Sequence, residues 1–236
     1  MEVQPQRHYL MRNLFLLALL VISGLVQGQT SEKLNKVITK LNSVKDYTVN
    51  ADISADIPMI KILPSKAKIY FKQKDKFKVE AKGIVVLPKQ GFTEINQFLG
   101  DKNKYMAIEG DTSRVNGILS RLITVIPKSE NDEIILAKIW IDEKLAVITK
   151  TQVTTRSNGT VTTSYTYGDM SNYALPSQLV FEIDVKKFKL PKSMAADIHQ
   201  TETNKKKDSR TKGTITVKLT GYKVNTGLSD DLFKKK

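Results

Sequence analysis

Cysteine is absent from the 236-residue chain, and histidine occurs only twice. The first absence removes disulfides, thiolate metal sites, cysteine nucleophiles and a lipid-modified N-terminal cysteine together, so the fold must hold by packing alone. The second leaves His199 as the one histidine beyond the N-terminal apolar run, in a polar stretch without clustered carboxylates, which argues against a transition-metal site. No cofactor is expected. Also missing are a Gly-x-Ser-x-Gly elbow, a phosphate-binding glycine loop and a dinucleotide glycine fingerprint. Glu182 and Asp184 share one face of a strand, but solvation accounts for such a pair better than glycosidase chemistry does. Asn158-Gly159-Thr160 matches a glycosylation sequon, although a hairpin role for Asn-Gly explains it sufficiently. These residues point away from an enzyme.

Acidic side chains are also in deficit, 24 against 38 Lys and Arg, for a net charge of +14. That charge favours solubility and anionic surfaces without identifying a partner. The basic residues are dispersed along strands and tails, with no Arg-rich helix, no zinc-finger spacing and no aromatic-basic strand motif, so no nucleic-acid partner is expected. The run Leu14 to Ile22 falls short of the roughly 20 apolar residues that span a bilayer. It follows Met11-Arg12-Asn13 and precedes Val26-Gln27-Gly28, the layout of a secretory signal peptide. Residues 1–28 are therefore expected to be a cleaved leader, with Met11 as an alternative start, and the product to be exported. No linker divides the remainder, so residues 29–236 are expected to form a single domain with an exposed basic insertion over 192–212.

What the chain does have is strands. From Ile134 to Val185 four follow one another, IILAKIWID, LAVITKTQVTT, TVTTSYTYG and QLVFEIDV, with short turns at Asp142-Glu143-Lys144 and Ser157-Asn158-Gly159. Val161, Thr163, Tyr165 and Tyr167 point one way, and Leu179, Phe181, Ile183 and Val185 alternate with polar or outward residues. This period of 2 gives an antiparallel sheet one apolar face. Tyr47, Val49, Ala51, Ile53, Ala55 and Ile57 alternate in the same way, as do Ala67, Ile69 and Phe71, then Phe77, Val79 and Ala81, with lysines between them forming a solvated face. Ile215, Val217 and Leu219 mark the last strand.

Helical spacing occurs in three places. Leu34, Val37, Ile38, Leu41 and Val44 form one stripe behind a Thr30 or Ser31 cap. Phe92, Ile95, Phe98 and Leu99 suggest a second helix, and Val115, Ile118, Leu119, Leu122, Ile123 and Ile126 a third that ends at Pro127. Inserted helices of this kind can cover the apolar concave face of a curved sheet.

The order of these elements, with Lys76-Phe77-Lys78-Val79-Glu80, Ile139-Trp140-Ile141-Asp142 before the Asn158-Gly159 hairpin, Tyr173-Ala174-Leu175-Pro176, and the closing run Tyr222 to Phe233, resembles the periplasmic outer-membrane lipoprotein carriers, the LolA-like lipoprotein-sorting family. The likeness spans about Glu32 to Phe233. It implies a mainly β fold with α (α+β), a curved antiparallel sheet forming a half-open, incomplete β-barrel covered by short helices, as in LolA-, LolB- and LppX-like proteins. The implied function is that of a periplasmic carrier, monomeric, that shields acyl chains of lipoproteins or another lipidated molecule and moves them toward the outer membrane, meeting inner- and outer-membrane transport components. The same architecture also serves envelope proteins that bind a protein partner or sense envelope lipid, which is the alternative. The family's strand arginine that bonds the lid has no counterpart on the early strands, which carry lysines. On the implied architecture the lining falls to Ile69, Phe71, Phe77 and Val79 on early strands, to Phe92, Phe98, Leu119 and Leu122 on the lid, and to Ile139, Tyr165 and Phe181 on later strands. Each of these serves equally well as ordinary core.

Overall fold

The computed structural model describes residues 31–58, 62–73, 76–83, 85, 87–88, 94–184 and 210–234. The expected leader, Phe92 and most of the 192–212 insertion lie outside them.

Ten strands form one antiparallel sheet: β1 (Asp46–Asp56), β2 (Ser65–Lys72), β3 (Lys76–Ala81), β4 (Tyr105–Val115), β5 (Ile118–Pro127), β6 (Ile134–Asp142), β7 (Val147–Thr155), β8 (Gly159–Tyr167), β9 (Pro176–Asp184) and β10 (Lys212–Val224). Their order across the sheet is β3-β2-β1-β10-β9-β8-β7-β6-β5-β4. Strands β4 to β9 are a meander of neighbours, whereas β1 pairs with β10 from the far end of the chain, with Ala51 opposite Leu219 and Ile53 opposite Val217. The outermost strands β3 and β4 do not pair with each other, so the curved sheet stays an open half-barrel.

Two α-helices are seen among the described residues, α1 (Glu32–Ser43) and α2 (Glu94–Leu99). Helix α1 starts where expected because the Ser31 hydroxyl accepts from the Leu34 N–H, with Glu32 in the first turn and Lys40 in the last. Its stripe of Leu34, Val37 and Ile38 is buried. Two groups of buried apolar side chains result. One joins β1, β2, β9 and β10 around Ile69, Phe181, Ile215 and Val217. The other packs α1 and α2 onto β4 to β7 around Leu34, Ile95, Ile123 and Ile139. Tyr165 of β8 packs against both.

The expected third helix is instead the β4–β5 hairpin, which moves Leu119 and Leu122 from a lid to a strand. Asn116 and Gly117 adopt φ of 48° and 83°, the positive pair that a two-residue hairpin turn requires. The helix-like spacing arose because apolar residues occupy both faces of β5, with Ile123 and Val125 inward and Leu122 and Ile126 on the other side. The β-branched run Ile123-Thr124-Val125-Ile126 favours the strand.

The start of β1 and the segment after β10 meet at a polar clasp beside α1. Asp46, only 4% exposed, accepts from the Thr226 N–H (2.8 Å) and hydroxyl (3.2 Å) and from the Gly227 N–H (3.0 Å). In return Asn225 accepts from the Lys45 N–H (2.7 Å) and donates to the Ser43 carbonyl (3.1 Å). At the other end of α1, Glu109 of β4 accepts from the Ser31 hydroxyl (2.7 Å) and from Lys33 (2.9 Å). These bonds hold the Glu109 carboxyl below the usual glutamate range.

Two outcomes are expected. Asp46→Asn puts an amide donor where only acceptors fit, and should cost about 1–3 kcal/mol in urea unfolding. For Glu109, a carboxylate whose folded value is lowered contributes stability above its unfolded value and loses it as pH falls through the folded one. Exchange of the α1 amides, corrected for intrinsic rate, should therefore rise between about pH 5 and pH 3 in the native protein and show no such step in Glu109→Gln.

Candidate ligand cavity

The two apolar groups do not fuse along their whole length. At one end of the sheet they leave a cavity of about 400 Å³, within the ~300–1,000 Å³ typical of small-molecule sites. Its position follows from the antiparallel topology. The wall takes residues from the first turns of β1, β7 and β9 and the last of β2, β8 and β10, which all lie at one end. They are Tyr47 and Ile148, Pro176 and Leu179, then Phe71, Tyr165 and Tyr167, and Leu219 and Tyr222. Helix α1 and the residue after its end close one side with Val37, Leu41, Asn42 and Val44, and α2 and its C-terminal turn contribute Asn96, Gln97, Gly100 and Asp101. Ala174 and Leu175 enter from a 3-10 turn over Asp169–Tyr173. Both Ala174 and Leu175 are buried.

Among the lining residues Asn42, Asn96, Gln97 and Gly100 are exposed, so the mouth lies between α1 and α2 and is polar. Deeper in, the wall is apolar with tyrosine tips. The Tyr167 hydroxyl donates to the Ile148 carbonyl (2.9 Å), that of Tyr222 to the Pro176 carbonyl (2.8 Å), and that of Tyr165 shares a hydrogen bond with Thr151 (3.3 Å). Tyr47 stacks on Phe71 at 5.1 Å and meets Tyr222 edge-on at 5.6 Å. Its hydroxyl makes no hydrogen bond among the described residues. Burial pushes the Tyr165 phenol up to about 12 and raises Tyr47, Tyr167 and Tyr222 as well. All four are neutral donors at ordinary pH.

The helices covering the cavity are held unequally. Helix α1 is tied by Glu109, by Lys40 to the Leu145 carbonyl (2.6 Å), and by Gln73, which donates to the carbonyls of Asn42 (2.8 Å) and Val44 (2.9 Å). From α2, the hydrogen bond to the sheet among the described residues is Tyr105 hydroxyl to Leu99 carbonyl (3.2 Å), beside the buried Ile95 and Leu99.

Of the residues expected to line a cavity, Phe71 and Tyr165 do so. Ile69 and Phe181 are fully buried in the first apolar group, with Phe77 and Val79 packed at its margin. Ile139 is fully buried in the second, and Phe98 packs against it with its ring 5.4 Å from that of Tyr105. Leu122 is half-buried on β5, and Leu119 is 57% exposed because β6 begins to pair only at Ser120. Sequence reasoning passed over Tyr47, Tyr167, Leu179, Leu219 and Tyr222. The signal that could have found them is tyrosine at an inward position near a strand end, where a polar tip can reach a free carbonyl. Among the described residues no group of three His, Asp or Glu could hold a metal ion.

No protein-family profile and no curated protein matches the sequence. Solved structures do match. A LolA superfamily protein from Nitrosomonas europaea superposes with a TM-score of 0.55 at 10% identity, over 87% of this chain and 99% of that one. A putative outer membrane lipoprotein-sorting protein domain from Vibrio parahaemolyticus gives 0.54 at 10% identity, over 85% and 95%. A DUF1329 family protein from Desulfovibrio piger gives 0.54 at 11%, over 86% and 95%. At such identities the likeness speaks for architecture, and the open half-barrel covered by short helices is that of the LolA-like, lipoprotein-sorting proteins.

Proposed function

We propose that this protein is a periplasmic carrier that takes an acyl chain of a lipoprotein or another lipidated molecule into the cavity and moves it toward the outer membrane. The observation that carries the reading is the cavity itself, an apolar space under two helices in a fold shared with lipoprotein-sorting proteins. Transfer of each methylene out of water is worth roughly 0.8 kcal/mol, enough to hold a chain reversibly without any reacting group. A polar mouth and apolar interior also match an amphiphile entering tail first. The leader expected over residues 1–28 supplies the route of export, and no catalytic residue is required.

Mass spectrometry of lipid extracted from protein purified from its native envelope should find a stoichiometric acylated molecule. The purified chain should take up a fluorescent acyl probe saturably, and Phe71→Asp, which sets an unpaired carboxylate in the apolar wall, should abolish uptake. Absence of both lipid and saturable uptake would reject the carrier.

A further inference from the structure

The charge of the cavity lining constrains the cargo further. No lysine or arginine is found among the lining residues, and their one ionisable acid or base outside the tyrosines is Asp101, which accepts from the Asn103 N–H at 3.1 Å. Lys72, next in sequence to Phe71, is committed to the Leu228 carbonyl (2.7 Å) and to Asp230 (2.6 Å). Among the described lining residues an anionic head seated at the mouth would thus find no cationic partner and would meet a carboxylate. The mouth offers instead the side-chain amides of Asn42, Asn96 and Gln97, which suit an uncharged polar group.

Tyr47 supplies the second constraint. It is 9% exposed and forms part of the wall, yet its hydroxyl has no hydrogen-bond partner among the described residues, whereas the other three wall tyrosines each have one. That hydroxyl is not sealed from solvent, so a bound acceptor can take its hydrogen bond in place of water.

We propose that the cavity takes an acyl chain borne by an uncharged ester or amide, whose carbonyl oxygen accepts a hydrogen bond from Tyr47. This rests on the carrier reading and adds to it the chemistry of the head group. Free fatty acid anions are discriminated against by the missing cation, not by the length of their tails.

The test is titration calorimetry on the full chain with 1-monomyristoylglycerol and with myristate, each below its aggregation concentration, at about pH 8, where the acid is ionised. The glyceride should bind at least about tenfold more tightly than the anion. Tyr47→Phe should weaken the glyceride about three- to tenfold and leave its melting temperature unchanged or raised, because the hydroxyl it removes has no internal partner. Myristate binding equal to or tighter than the glyceride overturns the uncharged head. An unchanged glyceride affinity in Tyr47→Phe overturns the donor role of Tyr47. If neither ligand binds and no lipid is extracted from the native protein, the carrier reading itself falls, so the two failures are told apart.

Discussion

The constraint behind the whole structure is an antiparallel sheet of ten strands that curves without closing. A closed barrel of modest size fills its interior with its own side chains. An open one keeps an apolar concave face that the sheet cannot bury alone, so other elements must cover it. Here the cover is α1, with Leu34, Val37 and Ile38, and the short α2, with Ile95 and Leu99. Both lie over β4 to β7, while the half formed by β1, β2, β9 and β10 packs its inward side chains with Val44 and Leu175 and with Ile62, Val85, Leu87 and Met170 of connecting segments. Two modes of burial in one sheet leave a seam where they meet, and the cavity is that seam.

The residues along the seam are those a half-covered site requires. Tyrosines bury a large apolar ring and still carry a polar tip, which suits positions near strand ends where carbonyls remain within reach. Tyr167 and Tyr222 use that tip to tie strand β8 to β7 and β10 to β9. The wall is rigidified by the same groups that make it hospitable to an amphiphile. The clasp of Asp46 and Asn225 involves the chain next to the lining residues Val44 and Tyr47, so the long-range pairing of β1 with β10 also helps to position this part of the wall.

Much of this was legible from the residues alone. Unbroken alternation from Tyr47 to Ile57 and from Ile134 onward identified the strands, and the Asn158-Gly159 turn appears with Gly159 at φ 68°. The α1 stripe was legible because a Ser cap and a helical period agree. The β4–β5 hairpin was not, since apolar residues on both faces of β5 hide the period of 2, and the Asn116-Gly117 turn signal was the better guide. The cavity was only half legible for a different reason. Alternation tells which side chains face inward but not how far along a strand each lies from the covered end. Mid-strand residues such as Ile69, Ile139 and Phe181 share their face with Phe71 and Tyr165, yet neighbours on both sides fill the space around them.

The covers also differ in what it takes to move them. Helix α1 has 12 residues, is bonded at both ends and at Lys40, and carries three buried apolar side chains. Displacing it breaks charge-assisted hydrogen bonds and exposes Leu34, Val37 and Ile38 together. Helix α2 has 6 residues, two of them deeply buried, and one hydrogen bond to the sheet among those described. Each full burial of such a side chain is worth about 1.5–3 kcal/mol, and lifting α1 exposes three of them where lifting α2 exposes two. The mouth lies between the two, with Asn42 on one rim and Asn96 and Gln97 on the other. Among the described residues the two rims of the mouth are thus anchored unequally, α1 at both ends and at Lys40, α2 through Leu99.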